Sequence, residues 1–82
     1  MEIKEWLIDW FSKHSSLDVD GIKAATTANY MEQGMIDSFS FVMLLSDIDD
    51  EYGIAFTNDD FLNPDFMNID GLAKLIDERK ES

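Results

Sequence analysis

Ile3, Trp6, Leu7, Trp10 and Phe11 recur at steps of three and four residues, the period that gathers apolar side chains on one face of a helix. The spacing predicts a helix over residues 2–14. Glu2 and Glu5 lie at its start and Lys13 and His14 at its end, where the helix dipole favours anions and cations respectively. Ser15, Ser16, Asp18, Asp20 and Gly21 then break the pattern. Residues 15–36 contain Ile22, Tyr30 and Met31 but no sustained period, and read as a long connection. Loops beyond about 12–15 residues are uncommon in compact domains and are often functional.

A second helix is predicted over residues 38–52, opening at Asp37-Ser38. Phe41, Leu44, Leu45, Ile48 and Tyr52 make one apolar face, and Gly53 stands where a helix commonly ends. Phe39, Val42 and Met43 lie off that face. Either neighbouring segments cover them or they form an exposed recognition patch. A short helix is predicted at about 58–62, with Asn58 as cap and Pro64 closing it. A last helix runs from about 69 to 80, with Asn68 as cap, an inward face of Ile69, Leu72, Ala73, Leu75 and Ile76, and Arg79-Lys80 at its end. The expected architecture is all-α: a small bundle of three main helices and one short helix.

Composition narrows the function. Eighty-two residues make one domain, 1–82, too short for much of an enclosed catalytic cleft. The absence of cysteine excludes disulfides, thiolate nucleophiles and cysteine zinc sites, and a single histidine excludes a His–His dyad. No apolar run approaches the roughly 18 residues of a membrane span. The segment Met1-Glu2-Ile3-Lys4-Glu5 lacks the pattern of a signal peptide, so the expected location is cytoplasmic. Eighteen acidic residues against six basic ones leave a net charge of −12. Such a surface repels phosphate backbones and anionic lipid and attracts partners with basic patches.

Each candidate for chemistry has a plainer reading beside it. His14 is explained by the dipole at a helix C-terminus. An EF-hand loop started at Asp47 meets Tyr52 where glycine is required and Asn58 where glutamate is required. One started at Asp18 also fails, so no metal site is expected. The cluster Asp47, Asp49, Asp50 and Glu51 sits at the helix end that disfavours anions. It reads as a docking patch for lysine and arginine in preference to a merely solvated face. Ser38 and Asp37 at a helix start read first as an N-cap, although that position also tolerates a phosphoryl group on Ser38 well.

The segment Gly34-Met35-Ile36-Asp37-Ser38-Phe39 resembles the attachment motif of acyl carrier proteins, in which Asp-Ser-Leu opens an apolar helix. The resemblance extends over nearly the whole chain through the order and approximate length of the predicted helices. It implies a four-helix bundle of the acyl-carrier type, with a long loop between helices one and two. Ser38 would carry 4′-phosphopantetheine, delivered by a separate phosphopantetheinyl transferase, with Asp37 as a contact for that enzyme. The protein would then be a non-catalytic carrier, expected as a monomer. It would present acyl or aminoacyl thioesters to ligase, synthase or acyl-transferring enzymes of fatty acid, polyketide or related biosynthesis. By position relative to Ser38, the surface shown to those partners would be Phe39, Val42, Met43, Ser46, Asp49 and Asp50.

The motif departs from the fatty-acid carriers. Phe39 stands for the usual leucine, Ser40 for an acid, and Met43 for a glutamate. The run Glu32-Gln33-Gly34-Met35-Ile36-Asp37-Ser38-Phe39, with Phe61, Phe66 and Leu72, is similar to the D-alanyl carrier proteins of teichoic acid modification. Against that subfamily, Val42-Met43-Leu44 lacks its polar residue and Phe56 replaces its proline. A different class, an unmodified acidic binding or inhibitor domain, would use the same acids and the Phe39/Met43 patch.

Overall fold

The computed structural model describes residues 2–80. Five α-helices and one 3-10 helix follow in order: α1 (Ile3–His14), α2 (Val19–Lys23), α3 (Ser38–Tyr52), α4 (Asn58–Phe61), the 3-10 helix Pro64–Met67, and α5 (Ile69–Lys80). There is no strand among the described residues. The three long helices match the apolar periodicities. The periodic faces supply the core: Leu7 and Phe11 from α1, Leu44 and Ile48 from α3, and Ile69, Leu72 and Ile76 from α5 are fully buried.

The short elements differ from the sequence expectation. The connection 15–36 is built, not open. Asp18 caps α2 by accepting from the Gly21 N–H at 2.8 Å, and Ile22, Tyr30, Met35 and Ile36 are buried. No period marks this segment because its apolar residues enter the core singly, from turns. Thr57, not Asn58, caps α4. It forms a capping box in which its backbone N–H donates to the Asp60 carboxylate at 2.7 Å. Pro64 does more than close α4, since it opens the 3-10 helix, where its missing N–H has no bond to lose. Asn68 caps α5 as predicted, accepting from the Gly71 N–H at 2.6 Å.

Phe66 on the 3-10 helix is the hub of the aromatic core. Phe41, Phe56 and Phe61 meet it edge-on at centroid distances of 5.8, 4.9 and 5.0 Å, the geometry that aromatic quadrupoles prefer. The Tyr30 hydroxyl donates to the Phe66 carbonyl at 2.5 Å, and the Tyr30 N–H donates to the Met67 carbonyl at 3.1 Å. Burial pushes the Tyr30 hydroxyl well above the usual phenol range, so it remains a donor. A second tie joins the connection to α5 and α1. The Thr26 hydroxyl donates to Asp70 at 3.0 Å, and Lys4 pairs with the same carboxylate at 2.7 Å.

α3 is held through large side chains. Trp6 meets Tyr52 edge-on at 5.5 Å. The Trp10 indole N–H donates to Asp47 at 2.7 Å. His14 stacks on the Trp10 ring, centroids 4.0 Å apart and planes 12° apart, with its Nδ1 2.8 Å from the Trp10 carbonyl oxygen. The Arg79 guanidinium pairs with Asp60, tying α5 to the cap of α4.

Candidate functional site

The approach to Ser38 is set by residues whose side chains are buried just before it. The chain turns over residues 31–34, with the Gly34 N–H donating to the Met31 carbonyl at 3.2 Å. Gly34 has φ +72°, a conformation that costs a residue with a Cβ but not glycine. The Met35 N–H then donates to the Tyr30 carbonyl at 2.9 Å, and Met35 and Ile36 enter the core. Two consecutive buried side chains leave the next two residues to emerge at the surface.

Asp37 is the N-cap of α3. Its carboxylate accepts from the Ser40 N–H at 2.8 Å, and its carbonyl accepts from the Phe41 N–H at 2.9 Å. The bond from the Ser40 N–H holds the Asp37 carboxyl below the usual carboxylate range, so it is ionised at neutral pH. The capping reading therefore belongs to Asp37. Ser38 is the first residue of the helix and is exposed. None of the side-chain hydrogen bonds among the described residues uses its hydroxyl. A free primary hydroxyl at the positive end of a 15-residue helix is accessible to an incoming electrophile and suited to carrying an anion afterwards.

The open question of Phe39, Val42 and Met43 is answered by exposure. They are 75%, 64% and 38% accessible. Ser46, Asp49 and Asp50 continue the same outer stripe and are exposed. The structure thus brings Phe39, Val42, Met43, Ser46, Asp49 and Asp50 onto one face of α3, beginning beside Ser38, while Asp37 stands apart from that stripe as the N-cap. The stripe is apolar over its first two turns and acidic over its last. Asp47 does not belong to it, because its carboxylate is engaged by Trp10. The acidic cluster accordingly divides into one structural carboxylate and an outer set.

Leu62, after α4, is 81% exposed and carries no periodic signal that marks it in the sequence. It follows Phe61, whose ring lies 6.1 Å from that of Phe41. Among the described residues no group of three or more histidine, cysteine or carboxylate side chains converges as a metal site. No described helix is long and apolar enough to cross a membrane. Searches against protein-family models, curated proteins and solved structures find no match to this chain.

Proposed function

We propose that this chain is a carrier protein of the acyl-carrier type, with Ser38 as the attachment site for 4′-phosphopantetheine. The observation that carries this reading is the free, exposed hydroxyl of Ser38 on the first residue of α3, directly behind a capping, ionised Asp37. The order of elements supports it: α1, a long connection, α3 opening at Asp37-Ser38, a short α4 and a closing α5. When attached, the group supplies a thiol, which this cysteine-free chain lacks. Ser38 would hold its phosphate at the positive end of the α3 dipole. The chain itself would bind and present the cargo, leaving the chemistry to partner enzymes.

The outer stripe of α3 would be the docking surface for those partners. Phe39, Val42 and Met43 would enter an apolar recess beside the partner's active site, and Asp49 and Asp50 would meet basic side chains farther along. A second reading shares this surface. An unmodified acidic binding domain is favoured by the same exposed Phe39 and Val42, and would act without any group on Ser38. Cargo of the aminoacyl kind, as in D-alanyl carriers, is the narrower form of the first reading.

The test is the intact mass of the protein after incubation with coenzyme A, magnesium and a broad-specificity phosphopantetheinyl transferase, with Ser38→Ala alongside. The expected result is a gain of one phosphopantetheine group in the wild type only. No gain in a folded sample, beside a control carrier that is modified, refutes the carrier reading and favours the binding domain. In that case Ser38→Ala should leave partner binding unchanged.

A further inference from the structure

A groove of about 540 Å3 opens between the start of α1, the end of α3 and the outer face of α5, lined by Glu2, Ile3, Lys4, Tyr52, Ala73, Lys74, Asp77 and Lys80. This volume falls within the range of small-molecule sites. Tyr52 lies fourteen residues beyond Ser38 on the same helix, about 21 Å along its axis at 1.5 Å per residue. The groove is therefore separate from the site described above.

Its charges are unusual for this protein. Three of the chain's six basic side chains line it. Lys4 is committed to Asp70. Lys74 and Lys80 form no ion pair among the described residues, and neither do Glu2 and Asp77 on the same rim. Two ammonium groups and two carboxylates thus border one recess with no ion pair between them among the described residues. Below them Ile3 and Ala73 present apolar surface, and Tyr52 presents its ring, fixed edge-on by Trp6. The Tyr52 hydroxyl is held protonated by burial and by the neighbouring Glu51 charge.

We infer that this groove binds a free, zwitterionic amino acid with an apolar side chain. Lys74 and Lys80 receive its carboxylate, Glu2 and Asp77 its ammonium group, and Ile3, Ala73 and Tyr52 its side chain. A molecule of no net charge avoids the long-range opposition that a net charge of −12 imposes on an anion. A simple cation, attracted everywhere on this surface, gains nothing from Lys74 and Lys80. The rim selects the ligand that carries both signs.

The test is an NMR titration of the isotope-labelled protein with phenylalanine as probe. Phenylpropionate, which lacks the ammonium group, and phenethylamine, which lacks the carboxylate, are run in parallel. Saturable shifts should appear at Ile3, Tyr52 and Ala73. Each analogue should bind at least about tenfold more weakly than phenylalanine, equivalent to about 1.4 kcal/mol. The double variant Lys74→Gln/Lys80→Gln should weaken phenylalanine by a similar factor while leaving the weak binding of phenethylamine intact. Lys23→Gln, an unpaired lysine outside the groove, should leave both unchanged. Absence of saturable binding overturns the inference. So does phenethylamine binding as tightly as phenylalanine, which would mark a plain cation-attracting surface, or a double variant that binds like the wild type.

Discussion

Replacing Gly71 with alanine tests how tightly the 3-10 helix is clamped under α5. A Cβ at this position falls 2.1 Å from the Asp65 carbonyl oxygen and 2.7 Å from its Cα and carbonyl carbon, where real Cβ atoms do not approach closer than 3.0 Å. The backbone of Asp65 must therefore retreat by roughly 0.9 Å or more, and it is not free to do so. The Asp65 N–H is held by Asn63 at 3.0 Å. The next residue, Phe66, is the buried aromatic hub whose carbonyl receives the Tyr30 hydroxyl. Overpacking of this kind costs about 1–3 kcal/mol, and a lost hydrogen bond adds about 0.5–1.5 kcal/mol. The helix propensity of alanine returns at most about 1 kcal/mol. The net expectation is a loss of about 0.5–3.5 kcal/mol, out of roughly 4–12 kcal/mol for a domain of this length at 0.05–0.15 kcal/mol per residue. Urea unfolding should show a lower midpoint at unchanged slope. A loss under about 0.5 kcal/mol would mean that α5 and the 3-10 helix are not in contact as described.

Two further perturbations address the connection and the acid limb. Tyr30→Phe removes the donor to the Phe66 carbonyl and leaves a buried acceptor unpaired. It should cost about 1–3 kcal/mol in urea unfolding and speed amide exchange at Met35, whose N–H is held by the Tyr30 carbonyl; unchanged exchange would remove Tyr30 as the anchor of this segment. Asp60 is held below the usual carboxylate range by the Thr57 N–H and then by Arg79, so its ionised form stabilises the fold. That contribution is complete above the unfolded value near 3.9 and is lost as pH falls through the lower folded value. Asp60→Asn should therefore be less stable than the wild type at neutral pH, and the difference should shrink as pH falls through that window. A difference constant from pH 7 to 2 would contradict the assignment.

Much of this molecule was legible in local pattern. The faces of α1, α3 and α5 follow from a period of 3.6, which any helix with one buried side must show. The Asp37 cap, the Asn68 cap and the Gly53 terminus follow from short-range hydrogen bonding and backbone freedom, and they appear where expected. The place of Ser38 at the start of α3 was legible for the same reason, because it depends only on the residue that caps the helix behind it. The box Thr57-x-x-Asp60 also carried a local signal, although Asn58 was the more obvious cap.

Tertiary structure alone decided the rest. Tyr30, Met35 and Ile36 have no period, because turn residues reach the core one at a time, and only the assembled fold provides the Phe66 and Met67 carbonyls that hold Tyr30. Sequence could not divide the acids at the end of α3. Asp47 is distinguished from Asp49 and Asp50 only by Trp10, thirty-seven residues away. Nor could it tell whether Phe39, Val42 and Met43 were covered, since a helix face is buried or exposed by what packs against it. The groove of Lys74, Lys80, Glu2 and Asp77 brings residues at the start of α1 beside residues of α5, more than seventy positions later in the sequence. Local sequence determined the three long helices and the start of α3; long-range packing determined which charges meet and which apolar side chains remain in water.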